Sequence, residues 1–168
     1  MRAPPQSIFI LTVALLLTSS LSFAVEPFSQ GSKRGTLILG AGQSFDESYF
    51  ILGVGAGYYV LDGLEIGLNW QTWLGGDPRI NQLTPEITYV FRNKSNFDPY
   101  LGVLYRKTWI SGFDDLSAYG GRAGVFIPMG PRFFIGVGAV YLKYTGCSES
   151  EYKDCSDVYP EFTFSIPF

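Results

Sequence analysis

Five ionisable residues stand in segments that otherwise hold mostly apolar and small side chains. They are Glu65, Glu86, Arg106, Arg122 and Glu161. Two carboxylates in one site could perform acid–base chemistry, whereas carboxylates that face guanidinium groups form ion pairs. If each segment is a β-strand, the five side chains point to the face opposite the apolar one, because successive side chains alternate. The pattern therefore predicts a charged layer on the inner face of a closed sheet.

Two functions are compatible with such a layer. Arg106 or Arg122 could exchange Glu partners and gate a narrow channel for ions or small solutes, or the charges could only neutralise one another. Glycines on the same inner face would allow either a thin water path or close packing; they are Gly53, Gly55, Gly57, Gly120, Gly124, Gly136 and Gly138. We expect packing and a lumen closed by a Glu/Arg network, because the interior of a small barrel is just wide enough for side chains to fill.

The residue types argue against an enzyme. The chain has no histidine, which removes the usual histidine-activated serine and cysteine nucleophiles. Glu65 and Glu86 could act as a carboxylate pair, but they would lie in a lumen closed to large substrates. The glycine-rich segment 53–57 has the pattern of a strand and not of a phosphate-binding turn before a helix. We therefore predict no catalytic residues and no cofactor.

The only two cysteines, Cys147 and Cys155, flank an acidic stretch. In an exported protein, such a pair is expected to form a disulfide. A metal site on both thiolates is a poor alternative, because the chain has no histidine and only this one pair of cysteines. A calcium site would use four carboxylates: Glu149, Glu151, Asp154 and Asp157. Because these lack the ligand spacing of an ordered calcium loop, we predict a disulfide-pinned acidic loop and no metal.

The elements that would position these residues follow an export signal. Arg2 precedes a largely apolar run at 8–17, and Ser22-Phe23-Ala24 is a small-x-small cleavage site. We expect cleavage between Ala24 and Val25, so that residues 1–24 are a secretory signal peptide. An uncleaved helical anchor is the alternative, but the run is shorter than the roughly 17–25 residues of a spanning helix.

The composition of the exported part indicates a membrane barrel. Hydrophobic residues make up 46% of the chain, aromatic residues 17% and charged residues only 16%. Many Gly and Tyr residues with few charges are typical of short alternating strands, tight turns and aromatic girdles. Beyond Ala24 there are 11 basic and 15 acidic residues, a formal charge of −4, so nothing suggests nucleic-acid binding.

Turn signals recur between alternating segments, which predicts eight strands. Their approximate bounds are 33–42, 49–60, 64–74, 81–92, 99–110, 117–127, 132–145 and 157–168. An even count is required when both ends of a closed antiparallel barrel lie on the same side. The predicted fold class is therefore all-β: a single eight-stranded antiparallel up-and-down transmembrane β-barrel within residues 25–168.

The connections alternate between two classes. Compact turns, expected in the periplasm, lie at 61–63, 93–98 and 128–131. Acidic loops, expected outside, lie at 43–48, 75–80, 111–116 and 146–156. These outer loops are short, which argues against a large ligand site formed by loops.

One face of each predicted strand should meet lipid. On the second and third strands this face holds Phe50, Leu52, Val54, Ala56, Tyr58 and Val60, and Leu64, Ile66, Leu68, Trp70, Thr72 and Leu74. Pro85 and Pro160 do not fit a continuous ladder, because proline has no N–H to donate. We expect a β-bulge at each, or a part of the strand that rises clear of the membrane.

The last strand carries a further pattern. Phe162, Phe164, Ile166 and Phe168 alternate, and the last residue of the sequence is aromatic. With the signal ending at Ala24, the chain from Lys33 to Phe168 resembles the small eight-stranded outer-membrane β-barrels of Gram-negative bacteria, of the OmpA-transmembrane-domain, OmpX and OmpW kind.

The resemblance implies an integral, porin-like barrel of the cell envelope. Its last-strand pattern would be the signal that the barrel-assembly machinery reads during insertion. Outer-membrane lipid and lipopolysaccharide are the other implied partners, and we expect a monomer. Lys107, Lys143 and Arg79, near the predicted outer rim, are placed to contact lipopolysaccharide phosphates.

Overall fold

The computed structural model describes residues 26–44, 47–92, 96–130, 133–146 and 155–168. The predicted signal peptide, its cleavage site and Cys147 with most of the acidic loop lie outside these ranges, so their predictions stay open. No helix among the described residues is long and apolar enough to cross a bilayer.

The described chain forms eight strands. They are β1 (Lys33–Ser44), β2 (Glu47–Leu61), β3 (Leu64–Leu74), β4 (Ile80–Val90), β5 (Asp98–Ile110), β6 (Leu116–Gly130), β7 (Phe133–Tyr144) and β8 (Ser156–Pro167). Each strand pairs antiparallel with the next, and β1 pairs with β8 to close the barrel. The predicted all-β barrel is therefore confirmed, with every strand end within three residues of its predicted position.

Alternation along each strand separates an inner from an outer face. On β3, Glu65 and Asn69 are buried, whereas Ile66, Leu68 and Trp70 between and beyond them are exposed. The large apolar side chains exposed on the other strands include Val54, Leu101, Val103, Tyr119, Tyr141 and Phe162. A continuous apolar exterior around a polar interior is the pattern of a barrel that crosses a bilayer.

The two ends of the barrel differ. We call the end that holds Lys33 and Phe168 the termini end, and the end that holds the β1–β2, β3–β4, β5–β6 and β7–β8 connections the loop end. At the termini end, β2 and β3 join through a turn at Gly63, whose φ is 76°. A side chain there would press on the Val90 carbonyl oxygen, so only glycine suits this turn.

The prediction of a β-bulge at Pro85 and Pro160 is wrong. Pairing on both sides of Pro85 keeps one register, from Leu83–Lys107 to Glu86–Leu104, and the ladder is only interrupted between these pairs. Pro160 pairs with Ala139 in an unbroken register with β7. The register shifts between β2 and β3 and between β6 and β7 lie elsewhere, at Tyr59/Leu61 and Pro128/Gly130.

Because each proline has no N–H, it loses a ladder hydrogen bond to one neighbouring strand without shifting the register. Phe91 N donates to Pro99 O, so the odd-numbered backbone groups of this segment face β5, and Pro85 has no donor to offer there. Phe168 exchanges both backbone hydrogen bonds with Lys33, so the even-numbered groups of β8 face β1. Pro160 therefore lacks a donor on the side of β1. Both prolines weaken one edge of their strand and leave the register intact.

The β1–β8 seam, which closes the barrel, is paired over part of its length. Pairing begins at Lys33 and Phe168 and ends at Ile38 and Thr163. Beyond that point, within the described strands, residues 39–44 and 156–162 do not pair with each other. Residues 39–44 still pair with β2 on their other side, and residues 156–162 still pair with β7. The seam is therefore closed toward the termini end and unpaired toward the loop end.

Candidate functional site in the barrel lumen

An aromatic cluster fills the termini end of the lumen. Its buried members are Phe28, Tyr59, Val90, Tyr100, Phe126 and Phe134. Phe28 precedes β1, and its ring centroid lies 5.0 Å from that of Phe134 and 5.6 Å from that of Phe126. The segment before β1 therefore folds back across the lumen and places Phe28 at the centre of the cluster.

Backbone hydrogen bonds hold that segment in place. Gly31 N donates to Tyr59 O, and Gly63 N donates to Phe28 O, each at 2.8 Å. Gln30 N donates to Asp62 Oδ1 at 2.7 Å. Phe28 itself has a positive φ of 63°, which is uncommon for a bulky residue and persists only where surrounding contacts enforce it.

A charge layer lies next to this cluster and crosses the lumen. Arg34 donates from Nε and Nη2 to the two carboxylate oxygens of Glu65, at 2.8 and 2.7 Å, and lies 3.6 Å from Glu86. Arg122 Nη1 donates to Glu86 at 2.6 Å, and its Nη2 donates to Glu161. The charges thus alternate in sign across five strands, with every side chain at most 9% exposed.

Aromatic rings link the charge layer to the aromatic cluster. The Arg34 guanidinium lies 5.1 Å from the centre of the Phe126 ring, and that of Arg122 lies 5.1 Å from the centre of the Tyr100 ring. Tyr100 OH also lies 3.5 Å from Glu161 Oε1. Cation–π contacts of this kind stabilise a desolvated guanidinium. The cluster and the layer therefore pack as one closure.

Glycine on the neighbouring strand makes room for this closure. A Cβ on Gly57 would overlap the carboxylate of Glu65, and a Cβ on Gly138 would overlap the hydroxyl of Tyr100. The inner-face glycines therefore lie in contact with polar side chains in this half of the lumen. This agrees with the close packing that the sequence favours.

Of the predicted charged residues, Glu86, Arg122 and Glu161 are brought together. Glu65 is paired instead with Arg34, a residue that the sequence reasoning missed. Arg106 departs from the prediction: its Nε donates to Thr84 Oγ1 at 3.0 Å, and its Nη1 donates to Tyr159 OH. Among the described residues it forms no ion pair with a Glu, because it lies farther along β5 than the charge layer. The Arg106 cation instead sits over the Tyr159 ring.

The other half of the lumen, toward the loop end, is not filled. A cavity of about 420 Å³ lies beside Arg106. Its inward-facing lining includes Ile38, Ile51, Gln71, Trp73, Ile80, Gln82, Thr108, Ile110, Leu116 and Leu142. Tyr49, Ile80 and Ile110 form a small apolar cluster at this end. The lumen is therefore filled with side chains toward the termini end and hollow toward the loop end.

The remaining site predictions concern the loop end and the last strand. Cys155 immediately precedes β8, and its carbonyl accepts from Tyr144 N at 3.0 Å. Lys107 Nζ lies 3.3 Å from Asp115 Oδ2, and Arg79 and Lys143 are exposed. Phe162, Ile166 and Phe168 lie exposed on the outside, and Phe164 is half-buried. These placements leave the proposed disulfide, insertion signal and lipopolysaccharide contacts as predictions.

No family model matches the chain, and no curated protein matches its sequence. Its fold is similar to the N-terminal β-barrel domain of OprF from Pseudomonas aeruginosa, with a TM-score of 0.66 and 13% identity over 83% of this chain and 98% of that one. Neisserial surface protein A aligns with a TM-score of 0.53 and 15% identity over 81% of this chain and 94% of that one. The chain has the fold of the eight-stranded outer-membrane barrels, in agreement with the predicted outer-membrane location.

Proposed function

We propose that this chain is an integral outer-membrane barrel with a structural or surface-interaction role, whose lumen does not conduct solutes. The observation that carries the proposal is the charge layer. Two arginines and three glutamates from five strands pair with one another across the lumen, and each side chain is at most 9% exposed. An ion on this path would have to break charge-assisted hydrogen bonds, which are the strong ones in a protein interior.

The aromatic cluster is a second barrier in series with the first. Phe28, Tyr59, Phe126 and Phe134 are each at most 5% exposed. Even if an arginine exchanged partners, a solute would still meet packed rings at the termini end. The role of such a barrel then rests on its outer surface and on its loops. The chain has no histidine, and the proposal includes no catalytic activity.

The proposed surface element is the acidic loop between Cys147 and Cys155. Oxidation in the periplasm would join the two cysteines and hold the loop in one shape. The proposal rests on their spacing in the sequence and on the place of Cys155 immediately before β8. Arg79, Lys107 and Lys143 at the same end would face lipopolysaccharide phosphates, with lipid around the barrel. The barrel-assembly machinery would insert the chain as a monomer.

A narrow channel for ions or small solutes is the second candidate. Three buried polar atoms beside the charge layer, Arg122 Nε, Thr88 Oγ1 and Thr163 Oγ1, have no hydrogen-bond partner among the described protein atoms. Water molecules passing along the lumen would satisfy such atoms. The cavity at the loop end would be the outer vestibule of this path.

Ion efflux from proteoliposomes distinguishes the two candidates. Vesicles that hold the refolded barrel and an internal potassium salt would be diluted into a potassium-free medium, with a potassium-selective electrode as the readout. We expect vesicles with the wild-type barrel to lose potassium no faster than protein-free vesicles do. Arg122→Gln is the informative variant, because it removes the cation that holds Glu86 and Glu161 and leaves the contacts among Phe28, Phe126 and Phe134 intact. Efflux that is fast in the wild type and altered in Arg122→Gln would support the channel and contradict the closed barrel.

A further inference from the structure

The cavity at the loop end passes through the barrel wall at one place. On most strands only inward-facing residues line it, such as Gln71 and Trp73 on β3 or Ile80 and Gln82 on β4. On β1 and β8 its lining is continuous, from Ile38 to Gly42 and from Tyr159 to Phe162. Inner and outer residues alternate along a strand. A lining that includes both faces therefore places the cavity between β1 and β8, open to the outside of the barrel.

This opening coincides with the unpaired part of the β1–β8 seam. Strand pairing ends at Ile38 and Thr163, and Pro160 has no N–H to donate toward Ala41. Unpaired backbone at membrane depth is tolerated where it is buried in protein or lines a water-filled cavity, so water in the cavity would hydrate the unpaired groups of β1 and β8. The opening is thus a side entrance, bordered by Leu39, Ala41, Pro160 and Phe162.

The cavity combines apolar walls with unsatisfied polar groups. Isoleucine and leucine side chains dominate its sides. Trp73 Nε1 and Gln82 Oε1 are buried without a hydrogen-bond partner among the described residues, and Gln82 is only 7% exposed. A volume of about 420 Å³ falls within the range of small-molecule sites, roughly 300–1,000 Å³. An occupant with an apolar body and a polar head fits this lining.

Arg106 indicates which charge the site would favour in the head group of an occupant. It borders the cavity, is 5% exposed and bonds only neutral partners, Thr84 and Tyr159, among the described residues. Glu161 also borders the cavity, but Arg122 holds its carboxylate. Asp157 is exposed. Arg106 is therefore the buried cation of this half of the lumen that is available to an anionic head group.

We propose that the cavity is a binding site for a single-chain anionic amphiphile of the fatty-acid class, which enters from the bilayer between β1 and β8. The carboxylate would accept hydrogen bonds from Arg106, and the chain would lie against Ile38, Ile51, Ile80 and Ile110. Entry from the side lets the acyl chain pass from lipid to protein without crossing water. This binding site is a function beyond the closed-barrel role. It lies in the loop-end half of the lumen and does not require the charge layer to open.

Tryptophan quenching tests the site with the protein's own residues. Trp73 lines the cavity, whereas Trp70 and Trp109 stack outside, 5.6 Å between ring centroids. In the background Trp70→Phe/Trp109→Phe, the remaining emission reports on the cavity. The probe is a fatty acid brominated on its chain, added to barrels in lipid vesicles. We expect saturable quenching of Trp73, and little quenching by a brominated two-chain phospholipid at the same bromine density.

Three substitutions test the parts of the site. A Cβ on Gly40 would meet Ile51 at an ordinary distance of 3.6 Å, so Gly40→Leu should fold and fill the cavity. We expect it to abolish the saturable quenching. Arg106→Gln should weaken binding of the brominated fatty acid about tenfold, as expected for a lost charge-assisted hydrogen bond, and leave binding of the matching brominated alcohol unchanged.

The entrance has a matched pair of variants. Pro160→Val restores an N–H facing Ala41, so β1 and β8 can pair farther and uptake should slow. Pro85→Val restores an N–H on the β4–β5 edge, away from the cavity lining, and should leave uptake unchanged. Each variant must first show the wild-type heat-modifiable band on a gel.

Several outcomes would overturn the site. These are quenching that never saturates, quenching equal to that by the phospholipid, or saturable quenching that persists in folded Gly40→Leu. Equal slowing by Pro160→Val and Pro85→Val would overturn entry between β1 and β8. None of these results depends on ion efflux, so failure of the site and failure of the closed-barrel proposal are separately visible.

Discussion

Arg34 holds Glu65 through two parallel hydrogen bonds, Nε to Oε2 at 2.8 Å and Nη2 to Oε1 at 2.7 Å, with side-chain exposures of 4% and 1%. The pair joins β1 to β3 across the lumen. Because β1 carries one edge of the barrel seam, this bidentate contact ties the closing strand to the interior. It also anchors one end of the charge layer.

Removing one partner of this pair should destabilise the barrel strongly. Arg34→Met leaves the buried Glu65 carboxylate without its cation, which costs about 3–5 kcal/mol in comparable sites. The exposed pair of Arg92 and Glu26 is the matched control, and Arg92→Met should change stability by about 1 kcal/mol or less. Urea unfolding of the refolded barrel, followed by tryptophan fluorescence, measures both. Equal effects of the two substitutions would contradict the importance of the buried pair.

Gly57 should tolerate no side chain while the Arg34–Glu65 pair is formed. Its Cβ would overlap the Glu65 carboxylate, which two hydrogen bonds hold in place. We expect Gly57→Ala to lower the free energy of unfolding by about 1–3 kcal/mol, as overpacking does in other cores. Gly35→Ala is the control, because its Cβ would meet Phe168 at an ordinary 3.6 Å. A neutral Gly57→Ala would show that the lumen has room to spare.

Phe28 should stabilise the barrel although it lies outside all eight strands. Replacing a buried Phe by Ala typically costs about 3–5 kcal/mol, and Phe28 is 5% exposed. Phe97, 47% exposed and at the same end of the barrel, is the matched control and should be nearly neutral. Urea unfolding compares Phe28→Ala with Phe97→Ala. Similar stabilities for the two variants would contradict a packed closure around Phe28.

Mass spectrometry after alkylation tests the predicted disulfide between Cys147 and Cys155. The protein isolated from outer membranes should resist alkylation until it is reduced, and then take up two labels. For a loop this short, we expect the bond to contribute roughly 2–3 kcal/mol. Urea unfolding of Cys147→Ser/Cys155→Ser against the oxidised wild type measures this. Alkylation without reduction would rule out the bond.

The barrel itself could be predicted from the sequence because its signal is local. Alternation placed Glu65, Glu86 and Arg122 on inner faces, and turn residues separated the strands. Arg34 was missed because the sequence Lys33-Arg34-Gly35 has no apolar alternation of its own. Arg34 lies two residues before Thr36 and four before Ile38, both buried, and this even spacing was the signal that could have placed it inside.

Other features depend on contacts that no local pattern encodes. Phe28 lies in a segment without periodicity, and its burial follows from the hydrogen bond that Gly63 N donates to its carbonyl oxygen and from rings on distant strands. The cavity depends on how far β1 and β8 pair, which joins opposite ends of the chain. Pro160 predicts a disturbed ladder of hydrogen bonds. It does not predict which neighbouring strand, β1 or β7, loses the hydrogen bond. That required the direction of each backbone group.

Single-channel recording in planar bilayers is the most direct test of the closed lumen. The refolded chain from Val25 onward would be inserted beside Glu86→Gln, which removes the carboxylate shared by Arg34 and Arg122. A heat-modifiable band on a gel would first show that both are folded. We predict no discrete openings in the wild type. Steady openings whose conductance shifts in Glu86→Gln would contradict the closed barrel and make the charge layer the gate of a channel.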